Sequence, residues 1–509
     1  MSRVMINMHT LRRSRNHLLY SLIVLLSLAS GLTTIPLATG SSAAQIQSLS
    51  WSSCEKTFEC SILQVPANYA HPSQGTLDIS VIELRATNPI PIGDIVLNPG
   101  GPGASGISFL TGSFQSFPLS LRQNFNLVSF DPRGVGASDP VNCTNAAGMR
   151  ALVALDPSPT SNAQINQIIS GVKSFIKGCQ AETPAFILNN VSTLNTVRDL
   201  DRLRIALGEP KLNYFGFSYG TYIGELYVKL FPKNFRTMVL DGVVDPALST
   251  TASNIQQAVG FERDLQDFYN WCPTNTTCKA EFPKGVKDAL TGLLSRFQGG
   301  ASVKAQLATI YGGTVTVNYG VLTTAIAASL YSNQQWPDLA KSIAAAYRGN
   351  GNLLAAVAYS YAGLQQNGTF SNMTAANIAT GCEDNRAPTS IAQYKALAIK
   401  MADAAPVFGA SEAWGTIACT YWPVKPVSSP APIANHSKSE ILVIGSTGDP
   451  ATPYSGAVNV AKELGNADLL TRTGSGHTAY LFSSCVRDWT DSYFMTTALP
   501  PKGSVCPSN

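Results

Sequence analysis

The sequence predicts an α/β fold with a mostly parallel central sheet and a helical segment inserted into it. Three observations carry this expectation. An apolar strand at 212–215 runs through Gly216-Phe217-Ser218-Tyr219-Gly220 straight into a helix, short buried strands lie on both sides of it along the chain, and strand signals stop between residues 246 and 438. Strands separated by helices suit a parallel sheet, because parallel neighbours need a crossover and cannot be joined by a tight turn.

Composition sets the outer bounds. A chain of 509 residues, 45% hydrophobic and 13% charged, can bury a large interior and exceeds one ordinary core, so a second unit or a big insertion is expected. Arg3, Arg12, Arg13 and Arg15, with no acid, fall in residues 1–44; removing them from 35 basic residues leaves 31 against 31 acidic ones. The rest of the chain is therefore neutral, which speaks against nucleic acid as a partner. The same N-terminal stretch continues with an apolar run at 18–32 and small residues up to Ala44, the pattern of an export signal cleaved there. A retained anchor is disfavoured by the shortness of that run and by Pro36, and no later stretch is long enough to form a stable membrane span. Ten cysteines fit an oxidising compartment. Taken in chain order they pair as Cys54 with Cys60, Cys143 with Cys179, Cys272 with Cys278, Cys382 with Cys419 and Cys485 with Cys506, although spacing alone does not fix connectivity. The sequence has no Cys-x-x-Cys pair and no nearby histidine to complete a tetrahedral site, so no metal is expected.

From the N-terminus, residues 60–65 and 76–85 read as strands around a Pro/Gly-rich turn, and 94–98 as a short buried third. Asn98-Pro99-Gly100-Gly101-Pro102-Gly103-Ala104-Ser105-Gly106 follows, then a strand at 125–130 that ends in Asp131-Pro132-Arg133-Gly134-Val135-Gly136. Gly101 to Gly106 matches a dinucleotide fingerprint, with Asp131 at about the distance of a ribose-binding acid. Pro102 removes an N–H that a phosphate would use, two strands precede the supposed first one, and the chain carries an export signal. The dinucleotide reading is set aside and no cofactor is expected. The loop can instead aim backbone N–H groups at an oxyanion.

Residues 196–207 form a helix with Val197, Leu200, Leu203 and Leu207 on one face, stopped by Gly208, and it feeds the strand at 212–215. The glycines on either side of Ser218 leave room for a strained strand-to-helix turn that exposes the hydroxyl above the sheet. Behind it Ile223, Leu226, Tyr227 and Leu230 keep helical spacing, Gly224 permits close packing and Pro232 stops the helix. A strand at 237–241 follows. Helical stretches then come at 256–271, 284–297, 319–332, 337–347 and 390–403 with no convincing alternating strand; 428–432 reads as the return linker, and sheet character resumes at 441–445 and 469–472. The implied organisation is an export signal at 1–44, sheet core at 45–245, a mainly helical cap and linker at 246–438, and sheet core again at 439–509.

A serine nucleophile needs a base, and after residue 44 the chain has only His71, His436 and His477. His71 sits in a Pro-rich turn and His436 in the polar linker. His477, in Gly474-Ser475-Gly476-His477-Thr478 after a strand, can reach back to Ser218. The third member should fix the imidazole tautomer. Asp449, in Gly448-Asp449-Pro450 after the 441–445 strand, gives the order Ser, Asp, His of an α/β-hydrolase; Asp241 and Asp245 are the alternatives.

Trp51 to Cys60, Asn98-Pro-Gly-Gly-Pro-Gly, Asp131-Pro-Arg-Gly-Val-Gly, Gly216-Phe-Ser-Tyr-Gly-Thr-Tyr, Gly448-Asp-Pro-Ala-Thr-Pro and Gly476-His477 together resemble the secreted tripeptidyl aminopeptidases, α/β-hydrolases related to prolyl iminopeptidases. The resemblance covers nearly all of the chain after the export signal, including Cys382-Glu-Asp384 and Cys419-x-x-Trp422-Pro423. It implies an exopeptidase that takes short peptides from free N-termini beneath a helical cap. Acyl transfer would then use Ser218, His477 and Asp449, with the oxyanion held by the N–H of Tyr219 and of Gly101, favoured over Gly100. Glu383 and Asp384 are candidates to bind the substrate ammonium, the bland alternative being a solvated acidic pair. A secreted esterase or lipase, a prolyl-type aminopeptidase and a non-catalytic binding protein are the other readings.

Overall fold

Short apolar strands frame the computed structural model, which describes residues 48–508. The export signal expected at 1–44 lies outside these residues. In chain order the strands are β1 (Ser52–Cys54), β2 (Phe58–Pro66), β3 (Thr76–Leu84), β4 (Gly93–Asn98), β5 (Phe125–Phe130), β6 (Leu212–Phe217), β7 (Phe235–Asp241), β8 (Val303–Gln306), β9 (Thr314–Val317), β10 (Ile441–Gly448), β11 (Ala467–Ser475) and β12 (Val505–Cys506). Ten of them form one sheet in the order β1-β2-β3-β5-β4-β6-β7-β10-β11-β12. β1, β2, β3 and β5 pair antiparallel in turn, and every pair from β5 onward to β12 is parallel. This is the α/β-hydrolase architecture that the sequence predicts.

The central strands are buried on both faces, which is why they read as near-continuous apolar runs. Alternate residues go to opposite sides. Ile95, Leu97, Phe215, Val239 and Leu442 pack into one layer; Val96, Tyr214, Met238, Leu240 and Val443 pack into the other. Burying each such side chain contributes roughly 1.5–3 kcal/mol. β4 is the switch point of the sheet, with β5 on one side and β6 on the other, and the register sets Asn98 opposite Gly216. The glycine loop after β4 and the Ser218 turn after β6 therefore emerge side by side at the carboxyl edge, where open α/β sheets hold their ligands.

Between β7 and β10 the chain is mainly helical around a third core that includes Phe261, Leu265, Leu290, Leu322, Ile326 and Ile343. One feature departs from the sequence expectation: β8 and β9 pair as an antiparallel hairpin inside the stretch read as strand-free. Each strand is only four residues long and largely exposed, too short to show a period of two. All ten cysteines are bridged, in the chain-order pairing. No helix among the described residues is long and apolar enough to cross a membrane.

Candidate active site

Ser218 links β6 to the helix Tyr219–Leu230 with φ 54° and ψ −128°, a conformation that L-residues rarely hold. Its backbone N–H donates to the Asp241 carbonyl at 2.8 Å, anchoring the turn to β7. The glycines around it answer to close approaches. A Cβ on Gly216 would lie 2.4 Å from the Gly220 oxygen, one on Gly220 2.6 Å from the Asn98 oxygen, and one on Gly100 2.4 Å from the Phe217 oxygen. The glycine loop thus lies directly on the serine turn. Tyr219 is the first helical residue, so its N–H has no carbonyl one turn back. Gly101 lines the space in front of Ser218, whereas Gly100 is wedged against the turn.

His477 and Asp449 meet after β11 and β10. The His477 Nδ1 lies 2.9 and 3.0 Å from the two Asp449 carboxylate oxygens. Asp449 is fully buried, and it also accepts from the N–H groups of Ala451, Thr452 and Thr478 at 2.8–3.1 Å and from the Thr452 hydroxyl at 3.1 Å. That ring of donors satisfies the lone pairs of a carboxylate held away from water. With Nδ1 facing the carboxylate, the ring proton sits there and Nε2 is left as the base. Nε2 is buried, and nothing among the described residues bonds it. Burial pushes the imidazole pKa down, but the charge and hydrogen bond of Asp449, with Asp241 behind, outweigh it and hold it above 6.5.

Of Asp449, the acid that the sequence favours, and its alternatives Asp241 and Asp245, only Asp449 bonds the imidazole. Asp241 accepts the N–H groups of Ala479 and Tyr480 at 2.9–3.0 Å, fixing the loop that carries His477, and burial pushes it up to about 6. Asp245 accepts from Ala247 N–H instead. Sequence reasoning missed Thr452, whose hydroxyl stands between Asp449 and His477, 3.2 Å from Nδ1; the Asp-Pro-Ala-Thr turn was its only signal. It also missed Tyr331, whose carbonyl accepts the His477 N–H at 2.8 Å and whose ring meets the imidazole edge-on at 5.3 Å.

Ser218, His477 and Gly101 line one cavity of about 570 Å³, whose other walls include Leu152, Ile168, Met373 and Trp414. None of its walls is an Asp, Glu, Lys or Arg. Glu383 and Asp384 stand elsewhere, and they are buried rather than solvated. Glu383 accepts from Val191 N–H at 3.3 Å, and Asp384 accepts from the N–H of Thr193 at 3.0 Å and from its hydroxyl. Asp384 thus caps the N-terminus of the helix Thr193–Ala206, where unpaired N–H groups and the helix dipole favour an acid, and Glu383 holds the residue just before its N-cap. Burial pushes Glu383 up to about 8 and Asp384 up to about 7. Asp384 lines a neighbouring cavity of about 400 Å³ that shares Pro102, Asn377 and Ile378 with the first; Glu383 lines neither.

Residues 95–281 match the family described as alpha/beta hydrolase fold, and residues 405–506 that described as TAP-like protein. The chain is 31% identical to Serine protease Hip1 of Mycobacterium tuberculosis, over 88% of this chain and 87% of that protein. It is 29% identical to Tripeptidyl aminopeptidase of Streptomyces coelicolor (90% and 86%) and 31% identical to Carboxylesterase B of Mycobacterium tuberculosis (90% and 89%).

Proposed function

The chain belongs to the TAP-like α/β hydrolases, and from that premise we propose that it is a secreted serine exopeptidase releasing short peptides, tripeptides foremost, from free N-termini. One observation carries the chemistry: an unpartnered imidazole nitrogen and a strained serine share a cavity, with a buried carboxylate on the far ring nitrogen. Ser218 Oγ attacks the scissile carbonyl as His477 Nε2 takes its proton. The N–H groups of Tyr219 and Gly101 receive the developing oxyanion, worth roughly 2.7–4 kcal/mol for each donor in comparable sites. His477 then protonates the departing amine, water enters, and the same imidazole activates it against the acyl-enzyme. Asp449 holds the tautomer throughout. Five disulfides among the described residues fit an extracytoplasmic compartment, as secretion requires.

A carboxylesterase is the second reading, favoured by the uncharged walls around Ser218 and by the relative of that name. A matched pair of tripeptide amides of a chromogenic amine, one free and one acetylated, separates the two. The exopeptidase should strongly prefer the free amine, and Ser218→Ala should abolish turnover and fluorophosphonate labelling without changing the melting temperature. Equal rates on both peptides would favour the esterase, and labelling at another serine would remove Ser218 as nucleophile.

A further inference from the structure

A substrate read from its N-terminus brings an ammonium into the site, and a buried ammonium without a counter-charge is costly. The large cavity beside Ser218 has no carboxylate in its walls. A smaller cavity of about 170 Å³ also reaches Ser218, and its walls include Gly101, Tyr219, Thr452 and Asp245. Asp245 also lines the cavity of about 400 Å³ beyond, so it stands where the two join. His477, which must hand a proton to the leaving amine, lines the large apolar cavity and not the small one. Ser218 therefore lines two unequal cavities: a proton donor lines one and a carboxylate the other.

Asp245 is poorly neutralised. Its oxygens accept from Ala247 N–H at 2.9 Å and from the Asn459 amide at a long 3.3 Å, both uncharged, and no ion pair among the described residues includes it. Behind it lie Glu463 and the wholly buried Glu225, whose two carboxylate oxygens have no partner among the described residues. Neither neighbour offers Asp245 a positive partner, and it lines two cavities. Glu383 and Asp384, by contrast, are occupied by the N–H groups of residues 191–193.

We propose that Asp245 is the carboxylate that receives the substrate's terminal ammonium, with the N-terminal residues in the cavities that it lines and the leaving chain in the apolar cavity on the His477 side. This rests on the exopeptidase reading. The test uses the free and acetylated tripeptide amides on wild type, Asp245→Asn, Asp245→Glu, Glu383→Gln and Asp384→Asn, with melting temperatures alongside. Loss of one partner of a desolvated charge pair predicts a fall of at least about 30-fold in the free-to-acetylated rate ratio for D245N, carried by KM for the free peptide. D245E should keep a preference with KM raised several-fold, and E383Q and D384N should keep the wild-type ratio. If D245N does not fold, D245E decides: an unchanged KM overturns the proposal. A wild-type ratio retained in D245N, or lost instead in D384N, overturns it and leaves the exopeptidase standing. Equal wild-type rates on the two peptides overturn both.

Discussion

Replacing Asp449 by asparagine separates an acid that sets the imidazole tautomer from one that only braces a loop. Oδ1 of Asp449 accepts from Ala451 N–H, Thr452 N–H and His477 Nδ1, and Oδ2 from the Thr452 hydroxyl, Thr478 N–H and His477 Nδ1. The amide oxygen of asparagine best takes the Oδ1 place, where two backbone donors converge. Its NH2 group then faces His477 and Thr478 N–H. Nδ1 must accept from that NH2, the ring proton moves to Nε2, and the base towards Ser218 is lost. An equivalent tautomer error in another serine protease costs about 10⁴ in rate, or about 5.4 kcal/mol. The stranded Thr478 N–H adds a stability cost of about 1–3 kcal/mol. The assay is kcat on the free tripeptide amide together with a thermal melt. Asp241→Asn is the control: it keeps one oxygen for the Ala479 and Tyr480 N–H groups and leaves the tautomer alone, so its rate loss should be far smaller. A D449N enzyme within about tenfold of wild type, or a D241N enzyme that is the more impaired, would refute the assignment.

Three further outcomes are expected. Because His477 is held above 6.5 and must be neutral to act as base, kcat/KM should fall as pH drops through a limb lying above 6.5; a limb below 6.5 contradicts the Asp449 coupling. Burial, then Asp245 and Glu463, push the Glu225 pKa well up, so the folded state holds a proton that the unfolded chain releases above about 4.3. That contribution to stability is present at low pH and is lost by about 1.4 kcal/mol per pH unit as pH rises towards the folded pKa; Glu225→Gln should show a shallower decline in urea unfolding between pH 5 and 8, and parallel curves would mean that Glu225 is ionised in the fold. Reductant should lower the melting temperature while activity at 25 °C persists, with Cys143–Cys179 and Cys382–Cys419, which close loops of 36 and 37 residues, contributing more than the two bridges of separation 6; free thiols found by mass spectrometry in the exported protein would contradict this.

What was legible in the sequence follows from how local each constraint is. The Ser218 turn was readable because its glycines are demanded by atoms a few residues away or on the adjoining strand. His477 was readable because histidine is scarce. Chain order favoured Asp449, but Asp241 and Asp245 stayed as alternatives because they follow β7, the strand next to the β10 that Asp449 follows, and only the three-dimensional contacts separate them. The structural role of Glu383 and Asp384 could not be read, because the N–H groups that they satisfy lie 192 and 191 residues earlier. Nor could the contribution of the helices Ala146–Val153 and Asn162–Glu182 to the apolar cavity, whose cover was expected from 246–438 alone; Leu152, Val153, Ile168 and Val172 face it from outside that stretch.

The bond from His477 N–H to the Tyr331 carbonyl bears on how such enzymes can be remodelled. Tyr331 closes the helix Tyr319–Leu330, and the helix Thr250–Trp271 grips the other arm of the site, Arg263 donating to the Asp449 carbonyl and Gln257 to that of Ala451. These helices therefore brace the loops that carry Asp449 and His477, and are not a detachable cover over them. Trimming them away to admit larger substrates would leave two loops without their outer supports and cost turnover on every substrate, small ones included. A transplant of this segment between relatives would have to carry the 449–452 and 474–480 loops with it, so that selectivity and rate travel as one heritable block.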